Sequence, residues 1–192
     1  MDAHGVDYEP IPNEGAFYGP KIDFFVQDAI GREWQLSTVQ LDYNLAERFD
    51  LEYVDVSGAR QRPVVIHRAM LGSLERFLGV IIEHFGGAFP VWLAPVQAEV
   101  IPIADRHLEY AESVRDKLAA TGLRVHVDDR NERMNAKIRD AQLQKIPYML
   151  VVGDREAEAN GAAVRLRSGE DLKTMAIDDI VARMTMEVLT RT

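Results

Sequence analysis

EVIPIADRHLEYAESVRDKLAATGLRVHV, residues 99–127, changes its hydrophobic period twice. Glu99 to Ala104 is a short, nearly continuous apolar run and reads as a strand. From Asp105 to Thr121 the apolar residues Leu108, Ala111, Val114 and Leu118 recur at three- and four-residue spacing, which predicts a helix with those four facing inward. Gly122 follows as its C-terminal cap, and Leu123 to Val127 returns to a strand. Downstream the alternation continues: a helix over 132–144, a strand over 148–152, a strand over 163–167 with Val164 and Leu166 on one face, and a closing helix over 179–189. Strands separated by helices predict parallel pairing through right-handed crossovers, so residues 91–192 are expected to form a three-layer α/β domain.

Upstream, GGAFPVWLAPVQ (86–97) interrupts both periods with paired glycines and two prolines, marking a boundary that divides the chain into 1–90 and 91–192. Within the first part, KIDFFVQDAIGREWQLSTVQLDY (21–43) carries two apolar segments flanking a polar turn near Ile30 and Gly31, a β-hairpin pattern. PVVIH (63–67) reads as a short buried strand. From Arg68, Leu71, Leu74, Leu78, Ile81, Ile82 and Phe85 keep helical spacing until Gly86 and Gly87. The order hairpin, strand, long helix predicts an antiparallel sheet backed by a helix, and the chain as a whole reads as α/β.

With 47% hydrophobic and 28% charged residues among 192, the chain can bury a core. It has no apolar run near the roughly 20 residues of a membrane-spanning helix and no signal-peptide pattern, so a soluble, cytoplasmic protein without a membrane partner is expected. The absence of cysteine excludes disulfides, thiolate nucleophiles and cysteine-built zinc sites. The net charge of −9 argues against a generally basic nucleic-acid coat. By region, residues 1–90 carry 7 basic and 14 acidic residues, net −7, whereas 91–192 carry 15 and 17, net −2. Between Arg124 and Lys145 six basic residues (Arg124, Arg130, Arg133, Lys137, Arg139, Lys145) meet four acidic ones, a modest positive strip.

Several polar residues admit two readings. Arg76, inside an amphipathic helix, is either a solvated charge or a phosphate ligand whose forked donors never deprotonate. His67 ends a strand, where a packed histidine and a metal ligand are both possible. Tyr18, Lys21, Gln35, Thr38 and Gln40 on the hairpin fit either ordinary strand polarity or a binding face. Asn131, Lys145, Glu156 and Arg165 fit either loop and edge polarity or a surface that reads unstacked bases, which calls for amide, carboxylate and guanidinium groups together. Arg165 and Arg167, two apart, are expected to share the strand face opposite Val164 and Leu166.

GAFYGPKIDF, WQLSTVQLDY, VVIHRAMLGSLERF, FPVWLAPVQ, RVHVDDRNE, KIPYMLVVGDRE and AVRLRSG occur in the order and spacing of the C-terminal portion of bacterial-type threonyl-tRNA synthetases. The resemblance covers essentially the whole chain. It implies the end of an antiparallel class II aminoacyl-tRNA synthetase catalytic domain with its motif 3 helix, followed by an anticodon-binding domain. The implied activity is threonine:tRNA ligation with ATP and magnesium as substrate, tRNA-Thr as partner and a homodimer for the full-length enzyme. By resemblance Arg76 and Lys21 are catalytic, Gln35 and Arg76 meet ATP, and Tyr18, Gln40 and Ser73 meet threonine. His67 matches one of three zinc ligands whose other two, a cysteine and a histidine, lie upstream in the family. Asn131, Lys145, Glu156 and Arg165 match positions that read anticodon bases, Lys145 standing where relatives carry arginine, and Ser37 stands where many have glycine. Because two earlier class II motifs do not occur here, the chain is expected to be an inactive fragment on its own. A noncatalytic RNA-binding module is the alternative, with 91–192 as its working part.

Overall fold

A computed structural model describes residues 5–192. The chain divides into two compact units, Met1–His84 and Phe85–Thr192.

The first unit is organised by the hairpin of β1 (Lys21–Gln27) and β2 (Glu33–Asp42). Asp28 builds its turn. One carboxylate oxygen accepts the N–H groups of Ile30 and Arg32 at 3.0 and 2.8 Å, and the other accepts Trp34 Nε1 at 2.9 Å and Arg32 Nε at 2.5 Å. Burial opposes ionisation of this carboxyl, but the Trp34 and Arg32 donors outweigh it and hold Asp28 well below the usual carboxylate range. A short helix α1 (Asn44–Arg48) and a small ribbon of β3 (Tyr53–Val54) and β4 (Arg60–Gln61) lead to β5 (Val65–Ala69), which pairs antiparallel with β2 to give the order β1-β2-β5.

Two expectations fail here. The strand after the ribbon is not buried: it alternates, with Ile66 62% exposed, because only one of its faces packs. The helix α2 (Leu74–Phe85) starts six residues later than the periodicity predicts, since Arg68 and Ala69 still pair with β2. Its covered residues are Phe77, Val80, Ile81 and Phe85, whereas Leu74, Leu78 and Ile82 lie at least half exposed. Gly72 turns the chain into α2 at φ +65°, where a Cβ would sit 2.7 Å from the Leu36 carbonyl oxygen, so only glycine passes β2 this closely.

The second unit is a five-stranded sheet. After β6 (Ala98–Pro102), a 3₁₀ turn (Asp105–His107) runs into α3 (Leu108–Ala119), then β7 (Val125–Val127), α4 (Met134–Leu143) and β8 (Tyr148–Val152). The short α5 (Asp154–Glu158), β9 (Gly161–Leu166), β10 (Asp171–Ala176) and α6 (Ile177–Thr190) complete it. The order is β10-β9-β8-β6-β7. β6 lies parallel to both β7 and β8 as expected, but β9 runs antiparallel to β8 and β10 antiparallel to β9, so the sheet is mixed. The physical reason is connection length. A parallel crossover needs a dozen or more residues, and α5 with its flanks is too short to supply one. Neither β10 nor α5 stood out in the sequence. β10 hides behind a bulge between Asp171 and Lys173 that breaks its alternation.

Three layers form around this sheet. Val100, Leu150 and Val164 meet Ala111, Val114 and Leu118 of α3 and Ile180 and Met184 of α6, the inward face of α3 being the expected one. Ile101, Met149 and Val151 on the other face meet Ile138 and Ala141 of α4. No helix among the described residues is long and apolar enough to cross a membrane.

Candidate functional site

Strand register brings three of the singled-out residues of the first unit together. Gln40 on β2 stands opposite Lys21 on β1 and His67 on β5. The Tyr18 hydroxyl donates to Gln40 Oε1 at 2.5 Å, and the Tyr18 ring meets His67 edge-on with centroids 5.7 Å apart. Tyr18 can reach inward because Gly19 follows it, where a Cβ would fall 2.2 Å from the Leu41 carbonyl oxygen.

Asp42 governs His67. Its carboxylate is 1% exposed, lies 2.8 Å from His67 Nε2, and accepts the N–H groups of Asn44 and Leu45 at the start of α1. Burial alone would neutralise it, but the His67 hydrogen bond and the two backbone donors keep its pKa below the ordinary value. A histidine held this way presents its other nitrogen, Nδ1, outward. Asp42 escaped the sequence reading, although its position two residues after Gln40 puts it on the same strand face.

Lys21 is tied down. Its ammonium lies 2.7 Å from Asp23 Oδ2, and this pairing raises its pKa. Asp23 Oδ1 and Thr38 Oγ1 face each other across the β1–β2 pair and are buried, with no hydrogen bond of ordinary geometry among the described residues; yet, against burial, Lys21 and Thr38 together lower the Asp23 pKa. Arg76 and Gln35 also meet. Arg76 Nη1 donates to the Gln35 carbonyl oxygen at 3.0 Å, and the Arg76 N–H donates to Ser73 Oγ at 3.1 Å. Ser73 therefore caps α2, and the exposed guanidinium sits at that helix's positive end.

The second unit has a cleft of about 500 Å³ at the C-terminal ends of β6 and β7, lined by Ile103, Ala104, Asp105, Asn131, Glu132 and Lys137 among others. Asn131 is exposed at its rim. Glu156 Oε2 accepts the Gly153 N–H at 3.1 Å, and Oε1 lies 3.5 Å from Thr174 Oγ1. Lys145, in the left-handed region at φ +59°, donates to the Gly86 carbonyl. No hydrogen bond joins any two of Asn131, Lys145, Glu156 and Arg165. Asn131 and Lys145 flank opposite ends of α4, whose ten residues span about 15 Å.

Two expectations are corrected. Arg167 does not share an open face with Arg165. It lies beyond the end of β9, half-buried, and donates to the carbonyls of Phe89 and Lys145, while the exposed Arg165 side chain makes no hydrogen bond among the described residues. The positive strip is mostly consumed internally. Arg130 pairs with Asp128 and Asp140, buried Lys137 donates to the Asp128 carbonyl, and Arg124 donates to the carbonyls of Trp92 and Ala94. Beside them Glu99, 6% exposed, lies 2.7 Å from His126 Nδ1, and burial pushes its carboxyl up despite that partner.

Residues 5–85 match the family described as tRNA synthetase class II core domain (G, H, P, S and T), and residues 97–186 match the Anticodon binding domain. The chain is 56% identical over 184 residues to the threonine–tRNA ligase of a Sulfurihydrogenibium species and 57% identical over 187 residues to that of Myxococcus xanthus, matching 96% and 97% of this chain. It spans 29% of the length of each. Among solved structures, the RNA binding domain of threonyl-tRNA synthetase from Cryptosporidium parvum aligns over 96% of this chain and 47% of its own, at 42% identity and a TM-score of 0.87.

Proposed function

Because the chain belongs to the threonine–tRNA ligases, carrying the end of their class II core and their anticodon-binding domain, we propose that it supplies the amino-acid pocket wall and the anticodon-reading part of such an enzyme. The whole enzyme activates threonine with ATP and magnesium and transfers it to tRNA-Thr, acting as a cytoplasmic homodimer. Residues 1–90 serve the first step and 91–192 the recognition of tRNA.

The observation that carries this reading is the Tyr18–Gln40 hydrogen bond beside His67, which turns a phenol oxygen and a carboxamide toward one strand face. These groups can receive the ammonium and hydroxyl of threonine, with Lys21 opposite Gln40; Ser73 is kept in the proposed threonine set on the resemblance alone. Arg76, fixed by the Gln35 carbonyl at the start of α2, offers a permanent cation to the polyphosphate, where negative charge grows as pyrophosphate leaves. Asn131, Lys145, Glu156 and Arg165 are the proposed base-reading set.

Zinc does not fit the described residues by themselves. His67 offers one ring nitrogen, and among the described residues no three His, Cys, Asp or Glu side chains converge as a metal site requires.

A noncatalytic RNA-binding module is favoured by one observation: the 85–192 unit encloses two buried clusters, while the first unit leaves Phe24, Phe25 and Ile66 exposed. Charging assays decide between the two. The ligase reading expects no ATP–pyrophosphate exchange with threonine from the chain alone and restored charging when the remainder of the enzyme is added in trans. Failure of that restoration, with tRNA-Thr binding intact, selects the module; exchange by the chain alone overturns the fragment reading.

A further inference from the structure

Glu156 sits on α5, a helix of only five residues that cannot hold itself in place. What fixes it lies outside it. Asp154, the first residue of α5, accepts Arg106 Nε at 3.1 Å and Arg106 Nη2 at 2.6 Å, and its Oδ1 lies 2.9 Å from His107 Nε2. His107 is 5% exposed, and its Nδ1 accepts the Ala104 N–H at 3.2 Å. That donor assigns the proton of the neutral ring to Nε2, so His107 donates to Asp154. Arg106 and His107 belong to the 3₁₀ turn, and the adjoining Ile103, Ala104 and Asp105 wall the cleft that holds Asn131. The same seam is closed twice more. The Ile103 N–H donates to the Val152 carbonyl at 3.0 Å, and Ile103 Cδ1 lies where a Cβ on Gly153 would be 2.7 Å away.

We propose that Asp154, His107 and Arg106 are positioning residues of the anticodon-reading surface: they clamp the Glu156-bearing helix to the wall of the Asn131 cleft and so set the distance between two base-reading groups. The proposal rests on the reading of Glu156 and Asn131 given above. Its chemistry suits the task. The bidentate Arg106–Asp154 pair fixes direction as well as distance, and His107, itself buried, holds the same carboxylate from the protein side. Arg106 and His107 also keep Asp154 ionised far below the ordinary carboxylate range. Glu156 itself is prearranged: its Oε2 accepts the Gly153 N–H immediately before α5, and its Oε1 takes only the long 3.5 Å contact from Thr174 Oγ1, which a donor on a base can replace. Moving α5 therefore moves this carboxylate as a unit.

The test is a double-mutant cycle on the 192-residue chain. The readout is the affinity for an anticodon stem-loop bearing a threonine anticodon relative to the same stem-loop with one anticodon base changed. Asp154→Asn is expected to cut this discrimination about tenfold, the scale of one charge-assisted hydrogen bond. In a Glu156→Gln background the same change is expected to do nothing further, because it acts through Glu156. Arg106→Ala repeats the experiment at a side chain 66% exposed, whose loss leaves the core intact should Asp154→Asn misfold. Arg106→Lys, which keeps the charge and loses the fork, is expected to recover only part of the discrimination. Equal weakening for all stem-loops, or effects that simply add to those of Glu156→Gln, would reduce the clamp to general stability and overturn the proposal. If Glu156→Gln itself leaves discrimination unchanged, the reading of Glu156 falls and the clamp with it; if Glu156→Gln acts and the clamp variants do not, only the clamp falls.

Discussion

Arg165 and Arg167 stand two residues apart, yet their environments predict opposite consequences for the same truncation. The Arg165 side chain is exposed and makes no hydrogen bond among the described residues, so Arg165→Ala is expected to leave stability within about 0.5 kcal/mol of the parent. If its guanidinium reads a base edge, the loss falls on binding, about 1–3 kcal/mol, or roughly five- to 150-fold in Kd. Arg167 is half-buried and donates to the carbonyls of Phe89 and Lys145, with burial lowering its pKa. Removing it strands two acceptors, and charge-assisted hydrogen bonds of this kind contribute about 1.5–3 kcal/mol. Arg167→Ala should therefore lower the urea midpoint clearly. Its affinity for the anticodon stem-loop, measured by fluorescence anisotropy where the variant remains folded, should change much less than that of Arg165→Ala. Equal binding losses with equal stability would refute the reasoning. A stability loss at Arg165 would refute the assignment of its face.

Two further outcomes follow from buried polar groups. Tyr148, 2% exposed, donates to Glu187 Oε1 at 2.7 Å and accepts Arg183 Nε at 2.8 Å, with burial first and Glu187 second pushing its pKa to about 12; Tyr148→Phe should cost about 1–2 kcal/mol in urea unfolding, because Arg183 and Glu187 keep their own bridge at 3.2 Å. Burial raises the Glu99 carboxyl above its ordinary 4.5, so the folded state favours its protonated form. That contribution is complete below pH 4.5 and is lost as pH rises through the folded value. Glu99→Gln is thus expected to gain stability over the parent between pH 4 and pH 7, and a difference that stays constant across that interval would contradict the burial argument.

The helical face of α3 was legible because Leu108, Ala111, Val114 and Leu118 carry one unambiguous period. The reversal of β9 was not, because pairing direction depends on connection length in space and α5 resembles a loop in sequence. The beginning of α2 was misjudged for a related reason: the 68–71 segment fits both periods, and backbone pairing with β2 decides between them. Of the candidate site, motif order singled out Gln35, Gln40, His67 and Arg76; strand register sets Gln40 opposite His67, and the start of α2 sets Arg76 at the Gln35 carbonyl. Partners assembled from distant chain segments were illegible. Asp42 behind His67 and Asp154 under Arg106 carry no periodic signature, since each is defined by what faces it; Asp23, two residues from Lys21 on β1, was by contrast within reach of strand spacing.

If the second unit reads an anticodon as proposed, the internal engagement of Arg124, Arg130 and Lys137 has a consequence for how RNA is admitted. A cation paired with carboxylates, as Arg130 is, or buried, as Lys137 is, displaces few counterions from a phosphate backbone. Affinity for an anticodon stem-loop should then fall only gently with ionic strength, and noncognate RNA should find little sequence-independent attraction on an acidic chain. Such a surface selects slowly at encounter and sharply at contact, leaving rejection to the fit of individual bases.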